Sequence, residues 1–327
     1  GGKPGTILIF DLGGGTFDVT IARIEDSRQM SAQVLATGGD PRLGGMDFDR
    51  VLADHCDAQF KREHGVSCRG VRRGGMDRGK VVELDQACQK AKHRLSRSGE
   101  ATVTCRLDAM VSNIRVSRDD FESLITSHLS RMQELVSRTM SESGLRRNQI
   151  DRALLVGGST RIPIVQRLIA DILGKPPEES VHPDEAVVLG AAVNAANPTG
   201  KAMSPEDDSG GVQITDVTSW DIGTTVWDSK NGKFFIDVLI RKNTKFPVEV
   251  TRKYYTQSEG QKEIECDVTE SKTGELDPDK VKSSKKTYTS CGVTNTLSAP
   301  ERVVTMTQGV TEFMLAMGLQ DKMQVSR

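Results

Sequence analysis

The sequence of 327 residues carries no excess of charge, because 44 basic residues stand against 45 acidic ones for a net charge of −1. No broad field is left to hold nucleic acid or an anionic membrane, so neither is expected as a partner. Long apolar runs are also missing. The stretch 186–196 falls well short of the roughly 20 residues that cross a bilayer, and no charged-then-apolar export signal opens the sequence, so a soluble, cytoplasmic protein is expected. The six cysteines (Cys56, Cys68, Cys88, Cys105, Cys266 and Cys291) form no CxxC pair, and the five histidines show no HExxH spacing. A zinc site, a dense disulfide framework and metal-dependent hydrolysis all lose support. Cysteines of this kind are expected as small buried hydrophobes in a reducing compartment. No repeat of 20–50 residues is visible.

What is there begins with strands. Residues 6–10, 17–24 and 31–37 read as a meander of three antiparallel strands bounded by glycine or polar turns. Residues 47–64 place Phe48, Val51, Leu52, Cys56 and Phe60 at helical spacing, and Gly65 ends the pattern. A Gly/Arg-rich joint at 69–79 leads to a second helix through Val81, Leu84, Ala87, Ala91 and Leu95, then to short strands near 101–106 and 111–116. Ser117 and Asp120 resemble a cap for one long helix from Phe121 to Met140, closed by Gly144. A buried strand at 153–156 enters Gly157-Gly158 and a helix whose Pro163 fits only the first turn. A further helix at 184–196 contains Gly190, expected to let a neighbouring backbone approach. Beyond a Pro/Gly/Ser/Asp-rich stretch, residues 234–240 and 246–250 read as strands, with a hairpin signal at Asn231-Gly232. Residues 271–290 read as loop.

The string Asp11-Leu12-Gly13-Gly14-Gly15-Thr16-Phe17-Asp18 joins two strands through three glycines, so backbone N–H groups can converge on an anion. Phosphate is the natural guest. Asp11 can hold a hydrated Mg2+ ion, and the Thr16 hydroxyl can orient a phosphate oxygen or a water. This string resembles the second phosphate motif of the 70-kDa heat-shock protein family. Further matches follow in family order: Leu43-Gly44-Gly45-Met46-Asp47-Phe48-Asp49, Leu154-Leu155-Val156-Gly157-Gly158-Ser159-Thr160-Arg161-Ile162-Pro163, and Pro183-Asp184-Glu185-Ala186-Val187 with Gly190-Ala191-Ala192-Val193.

The resemblance implies an α/β, actin-like ATPase lobe of the ribonuclease H-like kind over 1–198, a linker at 199–211, a partial β-rich peptide-binding domain at 212–270, and a loop with an unassigned αβ tail at 271–327. It implies ATP or ADP with Mg2+ as the ligand. The phosphates would lie on Gly13, Gly14, Gly15 and Thr16, with Asp11 and Thr16 as the catalytic pair. Adenosine would lie between Gly157, Gly158, Ser159, Arg161 and Asp184 on one side and Gln89, Lys92 and Ser96 on the other. Gln89 stands where the family usually has glutamate, and its carbonyl oxygen can still accept from ribose, whereas His93 stands where the family has arginine, and losing that stacking guanidinium weakens the clamp on adenine. His182 replaces an asparagine. No residues matching the family's first lobe precede Gly1 in this sequence, so a truncated chaperone with impaired ATP hydrolysis is expected, taking unfolded peptides weakly. Nucleotide-exchange factors and J-domain co-chaperones are the implied partners. The alternative is a non-enzymatic interaction module presenting helices 47–64 and 77–96 to exchange factors; an actin-like sugar kinase would not account for the later motifs. The Asp221-Ile222-Gly223-Thr224-Thr225 string mimics another phosphate loop in the wrong place, and 299–319 resemble a strand and helix of periplasmic iron or cobalamin binding proteins.

Overall fold

The computed structural model describes residues 4–26, 31–72, 75–178, 183–196, 213–245, 248–250, 252, 254, 263–271, 274–280 and 282–289. His182, the stretch 199–211 and the expected αβ unit at 299–319 lie outside them. The chain divides into two compact units at Ile214/Thr215.

In the first unit, the apolar residues of β1 (Gly5–Leu12) and β2 (Phe17–Asp26) pair antiparallel from Gly5↔Ile24 to Leu12↔Phe17, and β2 pairs antiparallel with β3 (Ser31–Asp40). Phe10 and Phe17, both fully buried, meet with ring centroids 4.7 Å apart at the closed end of this hairpin. The helix α1 (Gly45–His64) buries Phe48, Leu52, Cys56 and Phe60 in one stripe, each a turn from the last, and stops at Gly65 with φ 76°. After the short pair β4 (Val71–Arg72) and β5 (Gly75–Met76), α2 (Arg78–Leu95) starts on Asp77, whose side chain accepts from Gly79 N. Its buried Leu84, Cys88, Ala91 and Leu95 pack on α1 and on the hairpin of β6 (Glu100–Leu107) and β7 (Met110–Ser117), where buried and exposed positions alternate.

The single long helix expected after Ser117 is two: α3 (Arg118–Leu124) and α4 (Thr126–Glu142). Ser117 and Asp120 do form the reciprocal cap of α3. Ile125, fully buried with φ −93° and ψ 6°, ends one helix and begins the next. No proline or glycine marks the break in the sequence. α4 lies on β2 and β3. A 3-10 turn at Arg147–Gln149 leads to β8 (Arg152–Val156), parallel to β1, and a second at Gly158–Arg161 to α5 (Pro163–Leu173), with Pro163 in its first turn. The next helix, α6 (Ala186–Ala196), carries Gly190. The space around a Cβ at Gly190 is open for 4 Å, so the close neighbour expected there is absent among the described residues. With β9 (Gln213–Thr215), the sheet order is β8-β1-β2-β3-β9.

The second unit is built from β10 (Asp221–Asp228), β11 (Lys233–Ile240), β12 (Glu263–Ser271) and β13 (Lys282–Thr289), ordered β11-β10-β12-β13 with antiparallel neighbours. Gly232, with φ 62°, closes the β10–β11 hairpin. Two expectations change here. Residues 248–250 are in no strand, and much of the expected loop 271–290 is β13, which pairs with β12 from Glu263↔Thr289 to Glu270↔Lys282. A polar strand without apolar alternation leaves no periodic signal. Among the described residues, no helix is long and apolar enough to cross a membrane.

Candidate functional site

The turn between β1 and β2 is held by three bonds to its carbonyl oxygens. Gly13 O accepts from Gly45 N at 3.0 Å and from Ser159 Oγ at 3.0 Å, and Gly14 O accepts from Met46 N at 2.7 Å. In a planar trans peptide the C=O and the following N–H point in opposite directions, so these bonds turn the N–H groups of Gly14 and Gly15 away from α1. Neither has an acceptor among the described residues, whereas Gly13 N donates to Thr16 O at 3.0 Å. Two successive peptide donors with nothing to bind form a nest for an anion.

Close approach explains the glycines that build this wall. A Cβ on Gly44 would stand 2.6 Å from the Gly14 carbonyl and from Gly15 N. At Gly157, with φ 84°, it would stand 2.4 Å from Leu12 O and 2.9 Å from Asp11 Oδ1. The end of β1 and the turn after β8 therefore touch backbone to backbone, which follows from the parallel register Asp11↔Val156. Gly157 N in turn donates to Pro183 O at 2.9 Å, tying the start of the PDEAV segment to the same turn.

Each residue singled out from the sequence can now be placed. Asp11 is half-buried at the mouth of the nest, and that burial raises the pKa of its carboxyl above the ordinary 3.8. Thr16, whose carbonyl oxygen accepts from Gly13 N, is exposed. Ser159 is spent on Gly13 O, where it shapes the loop. Arg161 Nη2 donates to Asp184 Oδ2 at 2.7 Å, both side chains about half exposed. Asp184 Oδ1 also lies 3.1 Å from the Cβ position of Gly158. Lys92 is buried, with Nζ donating to Gly45 O at 2.7 Å and Asp49 Oδ2 at 2.9 Å. Ser96 Oγ donates to Lys92 O, and Gln89 is exposed on the preceding turn. The structure thus joins Gly13 to Thr16 and Ser159 by hydrogen bonds, brings Gly157 against Asp11 and Arg161 against Asp184, and ties Lys92 to the nest through Gly45, while Gln89 and Ser96 join them only through α2.

Gly44, Gly45 and Asp49 were not singled out as site residues. Their signal was the quoted Leu43–Asp49 motif, which the structure places against the nest. Asp11 offers one hard carboxylate, a donor that fits a cation held otherwise by water and phosphate oxygens. The second string, Asp221 to Thr225, lies in β10, with Thr224 Oγ1, Thr225 N and Thr225 Oγ1 all donating to Asp267. No anion loop forms there.

The lobe is mixed α/β, and its glycine nest between antiparallel strands touches a second glycine turn, a geometry suited to an anion. The Hsp70 protein family model matches residues 1–284, and the chain belongs to that family. Over 274 residues it is 37% identical to the chaperone protein DnaK of Thermotoga neapolitana, covering 82% of this chain and 43% of that protein. Over 271 residues it is 36% identical to DnaK of Deinococcus proteolyticus, covering 80% and 40%. The chain spans about two fifths of the length of these curated relatives. The family implies an actin-like ATPase fold and, in general, the binding of ATP or ADP with Mg2+.

Proposed function

We propose that residues 1–198 form the second lobe of an actin-like, ribonuclease H-like nucleotide-binding domain, which binds Mg-ATP or Mg-ADP in a chaperone that assists protein folding. The observation that carries this reading is the pair of unbonded N–H groups at Gly14 and Gly15, fixed by the pinned carbonyls of Gly13 and Gly14. A phosphate there would meet Asp11 and Thr16, which place Mg2+ and water on its near side. Arg161, anchored by Asp184, supplies a guanidinium for adenine to lie against, with Gln89 and Ser96 offered from α2, while Lys92, whose ammonium is committed to Gly45 O and Asp49, serves the phosphate side through Gly45.

Phosphoryl transfer needs charge stabilisation from several sides, and these residues form one wall. Binding is therefore assigned to this wall, and efficient hydrolysis requires groups beyond it. In the same reading 199–211 is a linker and 212–270 belongs to a β-rich domain for unfolded peptides. Nucleotide-exchange factors and J-domain proteins are partners of the whole machine.

Titration calorimetry with Mg-ADP on the full chain and on Arg161→Ala tests the reading. Saturable binding weakened by the variant is expected. A folded chain that takes up no nucleotide would refute it and leave α1 and α2 as a protein-interaction surface.

A further inference from the structure

Gly45 is where the nest, α1 and α2 meet. Its N–H donates to Gly13 O at 3.0 Å, and its carbonyl accepts from Lys92 Nζ at 2.7 Å. A Cβ on it would stand 2.3 Å from Ser159 Oγ and 3.0 Å from Lys92 Nζ, so a larger residue would displace the Ser159 hydroxyl from Gly13 O and press on the Lys92 ammonium. What holds Lys92 there is Asp49, four residues along α1, whose Oδ2 accepts from Nζ at 2.9 Å.

Both members of this pair are buried, Lys92 at 5% exposure and Asp49 at 7%. A buried ammonium without a counter-charge would lose its proton or draw in water. Asp49 prevents that, yet its Oδ1 has no hydrogen-bond partner among the described residues, so the carboxylate is buried with one bond to Lys92. Such a pair adds little stability over an apolar pair of the same size, and what it supplies is a fixed geometry. The geometry fixed here is that of Gly45, and through it the orientation of the Gly13 and Gly14 carbonyls.

We propose that Asp49 is a positioning residue for the phosphate subsite, acting through Lys92 and the Gly45 carbonyl to keep the Gly14 and Gly15 N–H groups aimed at the anion. It touches no nucleotide. The proposal rests on the nucleotide-binding reading above and adds a specific consequence. Loss of the Asp49 charge should weaken recognition of phosphate while sparing recognition of adenosine.

The test measures dissociation constants of the full chain, Asp49→Asn and Asp49→Glu for Mg-ADP and for adenosine. In Asp49→Asn the Mg-ADP constant is expected to rise about tenfold while that for adenosine changes by less than about threefold, as for other positions that orient a binding group. Asp49→Glu restores the charge and should restore much of the ADP preference, whereas a packing role would make the longer side chain at least as harmful. Wild-type chain that binds neither ligand would overturn the nucleotide reading itself. Wild-type binding with an unchanged ADP-to-adenosine ratio in Asp49→Asn, or an Asp49→Asn chain that does not fold at all, would overturn the positioning role alone.

Discussion

Asp57 shows how a single carboxylate closes a loop and leaves a pH signature. Burial alone would raise the pKa of its carboxyl, but donors from Cys68 Sγ, Ser67 Oγ and Cys68 N hold it below the ordinary 3.8. A depressed folded-state pKa means that the stabilisation is present above 3.8 and is lost as pH falls through the folded value. Asp57→Asn should therefore melt at a lower temperature than wild type at neutral pH. The gap should narrow as both are taken below pH 3.8, and a gap independent of pH would contradict the assignment. Glycines make the complementary case. Gly190 was read as a close-approach position, yet space around its Cβ is open. Gly190→Ala should then stabilise the chain by about 0.5–1 kcal/mol in thermal melts, by removing backbone freedom from the unfolded state. Gly44 was legible within its motif, and the backbone of Gly14 and Gly15 occupies the place of its Cβ. Sequence shows that a glycine is present; whether a neighbour fills its missing Cβ is settled by tertiary packing.

Elements tell the same story at larger spacing. The helical stripes of α1 and α2 were readable because one face of each is apolar. The break at Ile125 and the strand β13 were not, since neither interrupts nor creates a hydrophobic period. The cysteines are a sharper case. Cys56 on α1, Cys68 after it, Cys88 on α2 and Cys105 on β6 lie far apart in sequence but all are buried in the layer where these elements meet. Cys105 is in contact with Cys56 and Cys68, and Cys56 with Cys88. Hydrogen bonding to Cys56, together with burial, pushes the Cys105 thiol up to about 12, and Cys56 and Cys68 lie higher still. Thiols so protonated are poor nucleophiles. Under native conditions iodoacetamide should leave these four unmodified on the timescale in which urea-unfolded chain is fully alkylated, as read by peptide mass spectrometry. Rapid native labelling of any of them would show that the layer opens.

At the scale of the whole molecule, four motifs in order carried a family resemblance that implied one ligand shared by the nest and the second glycine turn, and in the structure the two turns touch through backbone, since a Cβ on Gly157 would stand 2.4 Å from Leu12 O. Surface properties follow from different arithmetic. Val187, Val188 and Leu189 on α6 are each more than half exposed, at 62%, 62% and 58%, and Ala191 and Ala192 beside them are exposed too. A contiguous apolar face on a chain of net charge −1 has little electrostatic repulsion to keep copies apart. Concentration-dependent association near neutral pH is the expected behaviour. Val188→Lys places a charge in the middle of the face while bringing the net charge from −1 to 0, so it acts through the face and not through net repulsion, and it should lower light scattering at equal concentration while leaving far-UV circular dichroism unchanged. Raising the pH by about two units above the sequence pI of 6.6 should do the same for wild type through net charge alone. If the pH change reduces scattering and Val188→Lys does not, association is governed by overall charge and the α6 face plays no part. If only the substitution acts, the apolar face is the contact and charge is secondary.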